Sequence, residues 1–281
     1  MAVCRSKEDW DRFTESREYN SINSLDDSIL KKHRGIQNWT LAGYSNPAKH
    51  TVDFIVDMQY AAERNGESVP NIRERLVCPI TGLNNRQRLM ATLIEDRLKL
   101  LKRQNVYMME QITPLFKWTA STLNGHNFIG SEYIGNQYAS GQEINGVRHE
   151  DVERLSFSDN YFDLIISTDV LEHIPSPQKG LSECSRVLKT GGHMLLTIPF
   201  LPNMEQSICR ARIENGDMVL LLPEQYHGNP MSEKGSLVFT DFGWDFLTCG
   251  RESGFSESCM EIYHSVEFGH LWPQMIFRFI K

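Results

Sequence analysis

Apolar positions along the chain follow two periods. Over residues 84–103, NNRQRLMATLIEDRLKLLKR places Leu89, Met90, Leu93, Ile94, Leu98 and Leu101 on one stripe with charges opposite, which predicts a helix lying on a sheet. Elsewhere the apolar runs are short, β-branched or aromatic, and bounded by polar turn residues. These predict strands at about 106–110, 127–133, 147–151, 163–167, 193–198, 258–264 and 275–280.

The stretch from 163 to 198 fixes the architecture. Its first strand, DLIIS, leads through TDVLEHIP to Ser176, a natural N-cap, and Pro177, suited to the first helical position. Leu181, Cys184, Val187 and Leu188 give the helix an apolar side, Gly191-Gly192 is expected to end it, and HMLLTI begins a second buried strand. Strand, helix, strand at this spacing is a βαβ unit, so the sheet should be parallel and covered by helices.

These residues also carry a resemblance. FDLIISTDVLEHIP followed by LSECSRVLKTGGHMLLTIPF resembles the core of the class I methyltransferases that use S-adenosylmethionine, in their type 11 branch. The pattern is long and ordered, and by alignment of elements it reaches from about residue 105 to 281. It implies a Rossmann-like α/β fold: a seven-stranded, mostly parallel sheet with helices on both faces, an antiparallel final strand and an N-terminal extension. The expected organisation is an extension over 1–83 and a methyltransferase domain over 84–281, in which 201–240 is too long for a simple connection and should form a lid or substrate wall.

The resemblance also implies site residues. Glu110 stands where an acidic, glycine-rich turn holds the methionine part of S-adenosylmethionine, but the glycines are replaced by Gln111-Ile112-Thr113-Pro114, with Thr113 and Pro114 fit to start the next helix. Glu132 matches the acid that meets both ribose hydroxyls, and Tyr133 the aromatic beside adenine. Asp151 and the Val152 N–H match the contacts to the adenine amino group. Thr168 and Asp169 follow the fourth strand, where ligands of open α/β sheets bind, and His173 lies one turn on, expected mainly to fix its loop. A hydroxyl acceptor calls for one base, and His227 and His149 are the candidates, with Glu224 set to orient His227 and Tyr226 beside it on the substrate side.

Composition narrows the function. Apolar residues at 40% and charged residues at 23% suit a globular protein, and a formal charge of −7 argues against nucleic acid as the main partner. Arg73, Arg75, Arg86 and Arg88 cluster, which ion pairing on a solvated surface explains. No membrane span or leader is recognisable, and six cysteines without paired spacing fit free thiols, so a cytoplasmic location is expected. Cys78-Pro79-Ile80-Thr81-Gly82 resembles half of a zinc knuckle, with Ser45 and Ala48 where a first cysteine pair would lie. One cysteine is too few for zinc, so no metal is expected.

The sequence thus reads as an S-adenosylmethionine-dependent methyltransferase acting on a hydroxyl or amine of a small molecule or glycan. The glycine-free first turn keeps open a second reading, a methyltransferase-fold binding module without chemistry. A nicotinamide oxidoreductase is disfavoured because no G-x-G-x-x-G follows a strand.

Overall fold

The structure is a computed structural model that describes residues 2–64, 66–99, 101–229 and 232–281. Seven strands form the central sheet: β1 (Ala2–Cys4), β2 (Asn105–Met108), β3 (Asn127–Gly130), β4 (Phe162–Thr168), β5 (Leu188–Thr197), β6 (Glu257–Ser265) and β7 (His270–Ile280), in the order β1-β6-β7-β5-β4-β2-β3. The pairs β3-β2, β2-β4 and β4-β5 are parallel, and β7 is antiparallel to both β5 and β6. The sheet is mostly parallel, as the βαβ pattern required.

Alternation along the strands splits the core into two layers. Tyr107, Ile165, Met194 and Leu196 point to one face, packed with residues of helices α1 (Lys7–Thr14), α5 (Pro177–Val187) and α6 (Asp245–Glu252), whereas Val106, Met108, Leu164, Ile166 and Leu195 point to the other. That second face meets Leu89, Met90, Ile94 and Leu98 of α3 (Asn85–Leu98) and Leu115 of α4 (Pro114–Thr122). Helix α3 begins with a capping box between Asn84 and Gln87 and stops at Leu98, so Leu101 lies outside it and is exposed.

Three sequence expectations are corrected. The run 147–151 does not join the sheet as a strand: Val147–Arg148 pairs with Glu143–Ile144 in a small ribbon, and only a single parallel bridge joins His149 to Glu132. The seventh place is taken at the opposite edge by β1, antiparallel to β6 with Cys4 opposite Met260. Second, α5 ends at Val187, and Gly191-Gly192 lie within β5, in an excursion of the strand between the pairs Phe162↔Leu188 and Leu164↔His193. Gly191 there has φ 75, a left-handed backbone that glycine adopts without steric cost. Third, Arg88 is no surface charge. It is buried, donates to the carbonyls of Leu76, Phe268 and Gly269, and lies 3.7 Å over the Phe54 ring.

The first eighty residues pack against this frame. Trp10 of α1 enters the main core, and buried Asp26 of α2 (Arg17–Lys32) accepts from the Trp272 N–H at 2.8 Å and lies 2.8 Å from His264 Nε2. The hairpin Trp39–Ser45 with His50–Val56 closes a smaller core with Ile72, Leu76, Cys78 and Leu271. Beside the Cys78 sulfur, where a knuckle would hold metal, burial is opposed by the Ser45 and Thr81 hydroxyls and the Ile80 and Thr81 N–H groups, which hold the thiol below its usual range. The 201–240 segment is built of short ladders, including Ala211–Glu214 with Asp217–Leu220 and Tyr226–Asn229 with Ser232–Leu237. Pro230, which follows the Tyr226–Asn229 strand, lies outside the described residues. Among the described residues no helix is long and apolar enough to cross a membrane.

Candidate active site

The carboxyl ends of β2, β3 and β4 bring most of the sequence-derived residues to one edge. Glu110, just beyond β2, is 6% exposed; its Oε1 accepts from the Thr168 N–H, and its Oε2 is buried without a hydrogen-bond partner. Burial pushes this carboxyl up to about 8. The turn that follows holds without glycine because side chains brace it. Gln111 accepts from the Arg148 N–H and donates to the Gly146 carbonyl, both at 3.0 Å, tying the small ribbon to the turn. Thr113 caps α4 by accepting from the Phe116 N–H.

Glu132 follows β3. One of its oxygens accepts from the Ile112 N–H at 2.9 Å, and burial pushes its carboxyl up. Tyr133 is 58% exposed, with its ring centroid 5.4 Å from that of His149. His149 is buried, and its Nδ1 accepts from the Ile134 N–H at 3.0 Å, so it fixes the loop that carries Tyr133. Asp151 accepts from the Glu153 N–H at 2.9 Å, its own N–H donates to Ser140 Oγ at 3.0 Å, and Val152 beside it is buried.

Asp169 has φ 58, a left-handed conformation that Asp tolerates better than most residues. Its carboxylate accepts two bonds from Arg73, at 2.6 and 2.8 Å, and one from Thr197 Oγ1 at 2.9 Å, with Arg86 at 3.5 Å. Burial works against this charge, but the two guanidinium groups prevail and hold the carboxyl well below its usual range. Glu74 joins through Arg73 and through Arg86, to which it is bonded at 3.0 and 3.1 Å. Arg86 Nη1 is buried without a hydrogen-bond partner. An unpaired carboxylate oxygen on Glu110 and an unpaired guanidinium nitrogen on Arg86 thus occupy one electrostatic neighbourhood.

The loop after β4 meets the 201–240 segment. His173 Nδ1 lies 2.8 Å from the Leu237 carbonyl, and the Phe239 N–H donates to the Glu172 carbonyl at 2.7 Å. His227 stands on the facing hairpin. The carboxylate beside it is Glu172, 3.5 Å from Nδ1, whereas Glu224 pairs with Lys234, whose ammonium also lies 4.4 Å over the Tyr226 ring.

Sequence reasoning grouped Arg73 and Arg86 only as surface ion-pairing charges and did not single out Glu172. The two arginines precede the resembling region, and only folding brings them to Asp169. Glu172 was visible within DVLEHIP, next to His173, but its burial was not.

Residues 117–196 match the family described as a methyltransferase domain. A curated relative, the demethylmenaquinone methyltransferase of Bacteroides fragilis, is 49% identical over 47 residues, which cover 17% of this chain and 19% of that protein. The chain thus spans about a fifth of the length of that relative. Among solved structures, an S-adenosylmethionine-dependent methyltransferase from Mesorhizobium loti matches with 13% identity over 68% of this chain and 98% of its own, at a TM-score of 0.39. The 1,6-didemethyltoxoflavin-N1-methyltransferase of Burkholderia thailandensis matches with 13% identity over 70% and 78% of the two chains, at a TM-score of 0.42.

Proposed function

We propose that this chain, whose residues 117–196 match a methyltransferase domain family, transfers a methyl group from S-adenosylmethionine to a hydroxyl, or an amine, of a small molecule or sugar. When bound, S-adenosylmethionine supplies an electrophilic sulfonium methyl. The chain's residues then have three tasks: to hold the two ends of that cofactor, to align the acceptor and to keep water away.

The observation that carries the proposal is a pair of buried, unpaired atoms, Glu110 Oε2 in the turn after β2 and Arg86 Nη1 at the start of α3. Leaving such groups unpaired is costly, and together they are the complement of an α-amino acid: a carboxylate for its ammonium and a guanidinium for its carboxylate. This donor set fits the methionine end of the cofactor and takes the place of the absent glycine cradle. At the other end, the Glu132 carboxylate is assigned to the ribose, the Tyr133 ring to the adenine face, and Asp151 with the Val152 N–H to the adenine edge. Gln111, Thr113 and Thr168 brace these groups. His227, with Tyr226 on the same hairpin and Glu224 just before it, is assigned to the acceptor side, and His173 and His149 to loop support.

The glycine-free turn also supports the second reading, a binding module without chemistry. Calorimetry of the full chain with S-adenosylmethionine and its demethylated product tests both. We expect one ligand per chain, and Tyr133→Ala should weaken binding by about 1–3 kcal/mol, the usual worth of a base stacked on an aromatic ring. Binding without turnover on any hydroxyl or amine acceptor would favour the module. No binding of either ligand would sink the enzyme reading and favour a module that has lost the cofactor as well as the chemistry.

A further inference from the structure

Among the described residues, Glu172 alone has both carboxyl oxygens buried without a hydrogen-bond partner. Its side chain is 0% exposed. Two imidazoles face it: His173 Nε2 is 3.6 Å and His227 Nδ1 3.5 Å from Oε1. These separations are too long for hydrogen bonds. They are the separations that a shared cation would set. A tetrahedral site with metal–ligand bonds of about 2.1 Å has edges of about 3.4 Å. One ligand atom from each of the three residues can be chosen so that all lie within 4.8 Å of one another.

We propose that Glu172, His173 and His227 bind one divalent first-row transition cation, in a two-histidine, one-carboxylate site with at least one coordination position open.

The surroundings support this assignment. Metal-bound histidines usually donate their second ring nitrogen to a fixed acceptor, which sets the tautomer. His173 Nδ1 has the Leu237 carbonyl at 2.8 Å, so its Nε2 keeps a lone pair toward Glu172. His227 Nε2 is 3.3 Å from the Gln225 side-chain nitrogen. Turning that amide over puts its oxygen there to accept from Nε2–H and frees Nδ1 in the same way. Two imidazoles and a carboxylate suit zinc, manganese, iron or cobalt better than calcium or magnesium, which take oxygen ligands. The ligands come from two separate segments, the loop after β4 and the 226–237 hairpin, so the cation would pin one to the other. On the methyltransferase reading, on which only this role rests, the open position takes the acceptor oxygen and eases loss of its proton to water.

The test uses full-length protein stripped with a chelator, then titrated separately with zinc and manganese by calorimetry, with no methyl donor or acceptor present. Its outcome is therefore independent of whether the chain binds S-adenosylmethionine. We expect one cation per chain. Glu172→Gln and His227→Asn should each weaken binding by at least the roughly 10–100-fold that loss of an outer partner costs. Exchanging the exposed His50 for Asn, or Cys78 for Ser, should leave binding unchanged. Thermal denaturation gives a second readout that a merely structural carboxylate would not produce: in chelator Glu172→Gln should melt no lower than the parent, and added metal should raise the melting temperature of the parent alone. His227 lies on a surface hairpin, so His227→Asn keeps the test decisive if Glu172→Gln does not fold. Absence of one-to-one binding, binding unchanged in His227→Asn, or binding lost in Cys78→Ser would each overturn the proposal.

Discussion

Glu110 offers a prediction in which stability and ligand binding move in opposite directions. The perturbation is Glu110→Gln, which keeps shape and an oxygen to accept from the Thr168 N–H but cannot ionise. The carboxyl has been moved from 4.5 to about 8 by burial, and at about 1.4 kcal/mol per pH unit this is about 5 kcal/mol at most. Relaxation and water entry should reduce the measured effect to about 1–3 kcal/mol. The sign follows from proton binding. Between these two values the folded chain holds the proton that the unfolded chain has released, so stability contributed by this group falls as pH rises through the window and is level above it. In urea denaturation, parent and variant should be nearly equal at about pH 5, and the variant should be the more stable by about 1–3 kcal/mol at about pH 9. The demethylated cofactor should invert the order, because its ammonium needs the carboxylate that the variant lacks. Parallel pH profiles in the absence of ligand would refute the reasoning.

Two further outcomes follow from the packing. Asp169→Asn keeps a residue that tolerates the left-handed backbone but removes the charge between Arg73 and Arg86, so we expect a loss of about 2–3 kcal/mol, at the lower end for a broken buried pair because Arg73 is one-third exposed. As the native carboxyl is held below its usual range, the stability it contributes is present above about pH 4 and lost below, and acid titration of the variant should lack that component. Gly250→Ala would place a Cβ 2.6 Å from Phe279 Cε2, and overpacking should cost about 1–3 kcal/mol despite the gain in helix propensity. A higher denaturation midpoint would show that the ring yields freely.

What could be read from the chain was whatever depends on neighbours in sequence. The strands of the 163–198 unit, the caps at Ser176 and Thr113 and the α3 stripe all rest on spacing and on groups a few residues apart, and the structure has each of them. Glu110, Glu132 and Asp169 could be placed at strand ends because a parallel sheet fixes where its loops emerge. Their partners could not. Arg73 is 96 residues from Asp169, and His227 is 55 from Glu172, and nothing periodic announces such meetings. The swap of β1 for the run 147–151 has the same origin: a three-residue strand carries almost no pattern, and whether it pairs depends on an edge exposed only once β6 and β7 are in place. Sequence therefore determined the scaffold and which residues line its edge. Tertiary structure alone decided which charges are buried and what faces them, because desolvation and pairing are properties of the packed neighbourhood and not of the residue that carries the charge.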